Sequence, residues 1–350
     1  ANDMKVWNWF LVLMSGVILA GSLYAVLKHW QYDFIDPNIA QMMKQDVNDA
    51  QVKQLIEQAI QDNNPEDARM YLSIAKTFGY AIKPEDYAAQ LAELDSPYNQ
   101  AKRTLNDFTT GFIDGKGESG VGVAGAITSD FTVVGDVRDL WEQYQLYAQG
   151  KPVNELIVAL AGVGVGLTAA TIVSAGSASP AKGGVSTAKL ATRAGNLTPG
   201  FQKVLIKQAG DVFDYKSFLV VAKVEKSMDG IRSAAVRAYN PAALKSLQNT
   251  TDSLNTIRKS SSTADAIHMM KYVDNADDLV QLEKITVKYG SQTKGIVKVL
   301  GKGALRSVKV LRKTTELMIG LIASLISGLA SLVSTYNLIR TSKRALTKAV

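Results

Sequence analysis

Three long apolar runs, separated by shorter stretches of helical period, set the pattern of this chain. Leu317 to Ile339 holds 23 residues without a charge. As a helix it would reach about 35 Å, enough to cross a hydrocarbon core. Small residues recur in it every four positions, as Gly320, Ser324, Gly328 and again as Ala323, Ser327, Ser331, a spacing that lets a second helix approach closely in lipid. A buried helix of a soluble bundle is the competing reading. Such a helix normally keeps a polar stripe, and this run offers mainly hydroxyls. Val6 to Leu27 is a second run, interrupted only by Asn8 and serines, with Trp7 and Trp9 at one end and Tyr24, Trp30 and Tyr32 at the other. It predicts a spanning helix with aromatic belts. Ala20-Gly21-Ser22 would suit a signal-peptide cleavage site, but a retained apolar N-terminus is expected to act as an anchor. Ala1 reads as the residue left after methionine trimming, which puts this end in the cytoplasm.

The third run, Leu156 to Gly176, repeats small residues at Gly162, Gly166, Ala170 and Ser174, predicting close helix–helix packing. Its many Gly, Ala, Thr and Ser residues make lipid insertion only marginally favourable, so it is expected to be buried in a domain or re-entrant, with a third span as the competing reading.

Between these runs the pattern is that of amphipathic helices. Val52, Leu55, Ile56, Ala59 and Ile60 keep a helical period. Asn64-Pro65-Glu66-Asp67 supplies a cap, a first-turn proline and first-turn acids ahead of a helix that Gly79 closes. Asn275-Ala-Asp-Asp278 and Gly290 repeat that grammar at the same interval. A further helix is expected from Tyr80 to Leu94. Asn240-Pro241 opens another, and Ser260 to Thr263 reads as a hinge. Lys294, Lys298, Lys302, Arg306, Lys309 and Lys313 then fall at steps of three or four. That spacing predicts one basic amphipathic helix, lying at anionic headgroups and leading into Leu317. Pairing of this face with acidic residues is the alternative.

Charge sharpens that choice. The net charge of +7 divides into −9 over residues 1–155 and +16 over residues 156–350. The two halves either attract each other or leave the basic half to face phosphate. With an anchor at each end, lipid is the expected phosphate source. No aromatic-interleaved surface or recognition helix points to nucleic acid. The absence of cysteine excludes disulfides, thiolate metal sites and a cysteine nucleophile. The only imidazoles, His29 and His268, read as ordinary helix residues.

One stretch carries a resemblance. Asp130-Phe-Thr-Val-Val-Gly-Asp136-Val-Arg-Asp-Leu140, Gly150, the Gly-rich apolar helix, then Lys182 and Lys189 resemble, over residues 129–190, the pre-toxin segment of bacterial polymorphic toxins. In those proteins a similar Gly-Asp-x-Lys-Asp-Leu motif precedes apolar helices ahead of a C-terminal toxin module. Here Arg138 replaces the usual lysine and an anchor replaces a secretion module. The resemblance implies, as an alternative function, a membrane-inserting or pore-forming protein.

Other motifs fall short. Gly162-Val-Gly-Val-Gly166 lacks a following Gly-Lys-Ser/Thr, Gly117-Glu-Ser-Gly120 lacks the last glycine of a nucleophile elbow, and Asp136 and Asp139 beside Arg138 read as an ion pair or cap. No catalytic constellation, cofactor site or metal site is expected.

The expectation is an all-α membrane protein with N- and C-terminal transmembrane helices flanking a mainly helical domain that contains a Gly-rich central apolar hairpin. Its parts are an anchor at 1–32, an acidic helical domain at 33–106, the hairpin region at 107–200, a basic amphipathic region at 201–316, and a terminal span with basic tail at 317–350. The tail, with Arg340, Lys343, Arg344 and Lys348, is expected in the cytoplasm. Both termini would then be inside, with the central domain periplasmic, on a bacterial inner membrane. The expected function is that of a non-catalytic accessory, scaffolding or assembly subunit whose partners are anionic lipid headgroups and other membrane proteins or further copies of itself.

Overall fold

The computed structural model describes residues 2–104, 133–173, 180–225 and 227–346. The described chain is predominantly helical and divides into two compact units, residues 1–36 with 307–350 and residues 37–306. The Gly111–Gly125 stretch, the Asp130–Thr132 start of the pre-toxin-like motif, Ser174 and Lys348 lie outside the described residues.

The first unit is a two-helix hairpin with a short ribbon. α1 spans Asn2–His29 and α16 spans Thr315–Leu346, each longer than the apolar run that predicts it. Both are long and apolar enough to cross a membrane. Beyond α1, β1 (Tyr32–Ile35) pairs antiparallel with β2 (Val308–Leu311), Tyr32 opposite Leu311 and Ile35 opposite Val308. Arg312 fixes this ribbon, donating its backbone N–H to Gln31 O at 2.8 Å and its guanidinium to Asp33 Oδ1 at 2.6 and 2.8 Å.

The second unit opens with α2 (Ile39–Asp46), α3 (Asp49–Gln61), α4 (Pro65–Phe78) and the short α5 (Ala88–Leu94). Asn48 and Gln51 close a capping box on α3. On α4 the Asn64 side chain accepts from the Asp67 N–H, while Gly79 ends the helix at φ 76°, a conformation glycine adopts without steric cost. The expected helix from Tyr80 instead starts as a 3-10 turn at Pro84–Tyr87, because Pro84 has no N–H to donate to a preceding turn.

The core of this unit is built around an apolar helix. α6 covers Val133–Ala148, α7 Glu155–Val173 and α8 Pro180–Arg193. They are followed by α9 (Pro199–Val212), α10 (Tyr215–Ala222), α11 (Met228–Ala238), α12 (Leu244–Ser260), α13 (Thr263–Met269), α14 (Ala276–Tyr289) and α15 (Gln292–Leu300). α7 packs against α6, α8, α9, α10 and α11, and every residue from Leu156 to Leu167 is buried. The third apolar run is therefore a core helix enclosed by protein over that length, as expected for a run too rich in small residues to gain much from lipid. A third span is not what this packing describes.

One sequence expectation fails outright. The basic residues from Lys294 to Lys313 do not share a helix. α15 ends at Leu300, Gly301 takes a positive φ of 61°, a 3-10 turn covers Gly301–Leu305, and Val308–Leu311 is a strand. Gly301 and Gly303 weaken the helix where it stops, and the Val308-Lys-Val310 alternation suits a strand once Tyr32–Ile35 supplies its partner.

Candidate functional site

Two features are candidates for function, one in each unit. In the hairpin the inner faces are small and hydroxylated. Ser331 Oγ donates to Ser15 Oγ at 2.9 Å, and Ser15, Ser22 and Ser327 are all buried. A β-carbon on Gly320 would lie 3.1 Å from Val26 Cγ2, and one on Gly328 would lie 3.9 Å from Leu19 Cδ1. The pairing of 320 with 26, 328 with 19 and 331 with 15 makes the two helices antiparallel. Gly320, Ser324, Ser327, Gly328 and Ser331 thus form one face of α16. The serine hydroxyls also return to their own helix, Ser324 to Leu321 O at 2.9 Å and Ser327 to Ala323 O at 2.7 Å, which satisfies them without water.

The outer faces are the opposite. Val17 is 70% exposed, Leu27 75%, Leu325 67% and Leu332 69%. Aromatic side chains mark the ends: Trp7 stacks on Phe10, and Trp30 Nε1 donates to Tyr32 Oη at 3.1 Å.

The second feature is a charge cluster inside the central unit. Lys189 on α8 is fully buried and donates to Asp136 Oδ1 at 2.5 Å and Asp139 Oδ2 at 2.8 Å, both on α6. Arg193, one turn further along α8, donates to the other oxygen of Asp139. Lys182 donates to Thr168 Oγ1 at 2.8 Å, and that hydroxyl bonds Gly164 O. The spacing of Asp136 and Asp139, and of Lys182, Lys189 and Arg193, places each set on one face of its helix. Burial pushes the Asp136 carboxyl up to about 6, against the opposing pull of Lys189 and Lys182. Burial likewise lowers the Lys182 ammonium.

The glycines of α7 and α8 make room for this arrangement. A β-carbon at Gly164 would overlap the Asp136 carboxylate. Gly162 and Gly166 receive the rings of Phe213 and Tyr239, themselves joined by an isolated antiparallel bridge. These two residues, expected to pack on a helix, instead seat two aromatic side chains, while Ala170 is exposed. A close helix approach lies elsewhere, where Gly184 of α8 meets the Thr251 backbone of α12. Sequence reading missed Gly164 and Gly184. The signal available was the Gly183-Gly184 pair inside a helical pattern, since mid-helix glycine costs about 1 kcal/mol and is kept for a packing reason.

The predicted basic stripe is dispersed. Lys294 reaches Asp67 at 2.6 Å and Asp265 at 3.5 Å. Burial disfavours its charge, but these two carboxylates outweigh that and raise its pKa. Lys298 lies over the Tyr71 ring at 5.8 Å, and Lys302 bonds Asp274. Arg306 and Lys313 are exposed, and Lys309 lies in β2. The acidic and basic halves of the sequence therefore pair in part, through Lys294 with Asp67 and Lys189 with Asp136 and Asp139. Lys294 also lines a polar cleft of about 940 Å3 together with Asp62, Arg103, His268 and Tyr272.

Among the described residues, no group of three or more His, Asp or Glu side chains could hold a metal ion. No family model, no curated protein and no solved structure matches the chain.

Proposed function

We propose that this chain is a non-catalytic subunit of a bacterial inner membrane, anchored by α1 and α16 and serving as an accessory or scaffold for a membrane complex. The observation that carries the proposal is the inverted surface of the hairpin. Valine, leucine and isoleucine face outward along both helices, joined on α1 by Trp7 and Trp9, while Ser15 and Ser22 of α1 and Gly320 and Ser327 of α16 face inward. Water penalises such an outer surface by about 25 cal/mol for each Å², whereas hydrocarbon does not. A soluble core helix would be mostly buried, but only 17% of each apolar window is.

The antiparallel pairing supports a reading with two spans. Asn2 and Leu346 then lie on one side, cytoplasmic by the basic tail, and the chain from Pro37 to Arg306 leaves and re-enters at the ribbon end, on the periplasmic side. The unusual ionisable groups of the central unit are committed to one another in its interior, which suits a folded platform better than a reaction centre. The surfaces through which it would work are the outer hairpin faces and the exterior of the central unit.

The test is the composition of the gently solubilised native species. A scaffold travels with defined partners at fixed ratio and releases no dye from liposomes. A chain found only with itself, and able to release dye unaided, would establish the membrane-inserting alternative instead.

A further inference from the structure

Outside the hairpin, the most exposed apolar cluster of the described chain lies at the turn between α10 and α11. Val220 is 60% exposed, Val221 44%, Val224 75% and Met228 50%, four residues within nine. Singly exposed apolar side chains are ordinary, but a contiguous group is not. Nor is this a helix turned the wrong way. Phe218, Leu219 and Ala222 of α10 are already buried in the core, so the two valines between them and Val224 beyond are apolar in addition to a completed inner face.

The exposed charges around this tip are mostly basic, with Asp229 as an exposed acid among them. Lys216, Lys223 and Arg232 are exposed, and Lys223 is steadied over the Tyr147 ring at 5.0 Å. The nearest carboxylate, Glu225, is folded back onto α11, where it lies against Gly230 and accepts from Arg237 at 3.2 Å. An apolar point with a basic rim is complementary to an anionic bilayer surface, where the side chains enter the acyl boundary and the cations meet headgroup phosphates.

We infer that the α10–α11 tip is a second, peripheral membrane contact, which dips Val220, Val224 and Met228 into an anionic leaflet. The inference rests on the reading of the chain as a membrane protein. The absence of cysteine makes its test clean. An environment-sensitive dye is placed by Val224→Cys, by Leu325→Cys on α16, and by Val287→Cys on α14, where the native valine is 62% exposed, each in the full chain reconstituted into vesicles containing phosphatidylglycerol.

The expected result is a blue shift at 224, with stronger quenching by lipids brominated near the headgroup than by lipids brominated near the chain end. The dye at 325 is quenched from deeper, and the dye at 287 stays aqueous. Lys223→Glu with Arg232→Glu abolishes the shift at 224 and leaves 325 unchanged. A dye at 224 as aqueous as that at 287 overturns the inference while quenching at 325 still supports the anchor, and an aqueous dye at 325 overturns the anchoring reading itself. An equal shift at 224 in phosphatidylcholine alone overturns the anionic surface as the occupant.

Discussion

The hairpin and the central unit place polarity in opposite ways, for the same physical reason. In the central unit the apolar helix α7 is inside, surrounded by other helices, with large side chains such as Phe201, Leu205 and Leu160 fully buried. In the hairpin most large side chains are outside, Val26 and Leu317 being the buried exceptions, and the rest of the interior is Ser15, Ser22, Ser327, Ser331 and Gly320. Burial away from water drives the first arrangement. On the proposal that the hairpin sits in lipid, that drive disappears between its helices, and close contact of small residues with satisfied hydroxyls replaces it. The polar interior of each unit is correspondingly different. The central unit encloses full charges neutralised by each other, while the hairpin encloses neutral hydroxyls that bond their own backbone. The difference shows which interactions are expensive to disturb.

The largest effect is expected from Lys189→Met, which removes the ammonium shared by the buried Asp136 and Asp139 and leaves Asp139 with Arg193 and a longer ion pair from Arg138 at 4.0 Å. Removing one member of a buried ion cluster costs about 3–5 kcal/mol. The urea midpoint of the central transition should fall accordingly, whereas a change below about 1 kcal/mol would mean the cluster is hydrated. Next come the glycines. Gly164→Ala drives a methyl into the Asp136 carboxylate and Gly184→Ala drives one into the Thr251 backbone, each costing about 1–3 kcal/mol. Gly328→Ala in the hairpin meets an ordinary contact at 3.9 Å and should be neutral in the same assay.

A pH series sharpens the account of the central unit. The Asp136 carboxyl titrates at about 6 in the folded chain against 3.8 as the ordinary value, so the folded state holds a proton that the unfolded state has released. Its contribution to stability is therefore full below about pH 4 and is lost as pH rises toward 6, by at most about 1.4 kcal/mol per pH unit. Paired carboxylates such as Asp214 and Asp274, whose pKa values are lowered, act in the opposite sense. The difference between wild type and Asp136→Asn isolates the one group, and a flat difference curve would contradict its burial as a titrating acid. The smallest effect still above zero is expected from Ser331→Ala, which removes one interhelical hydrogen bond worth about 0.6 kcal/mol in lipid, read as a modest rise in hairpin dissociation in detergent.

Much of the local structure was legible. The caps at Asn64 and Asn275, the stops at Gly79 and Gly290, the hinge after Ser260 and the two terminal apolar helices all follow from short-range rules. What failed depends on partners distant in sequence. Lys294 to Lys313 read as a helix because nothing local says that Tyr32–Ile35 will supply a strand to pair with Val308–Leu311. Gly162 and Gly166 read as a helix-packing face because only the fold brings Phe213 and Tyr239 onto them. The charge cluster was half visible. Asp136, Asp139, Lys182 and Lys189 were all singled out, but burial and mutual pairing require α7 between the elements that carry them.

The claim on which the comparison stands is that the outer faces of α1 and α16 meet lipid. Because the chain has no native cysteine, single cysteines from Leu317 to Ile339 can be challenged in intact membranes with a membrane-impermeant maleimide. The account predicts protection through the whole stretch, including Leu325, Leu329 and Leu332, which are 64–69% exposed in the isolated chain, with reactivity returning only beyond its ends. Rapid labelling at those three positions in intact membranes would contradict it.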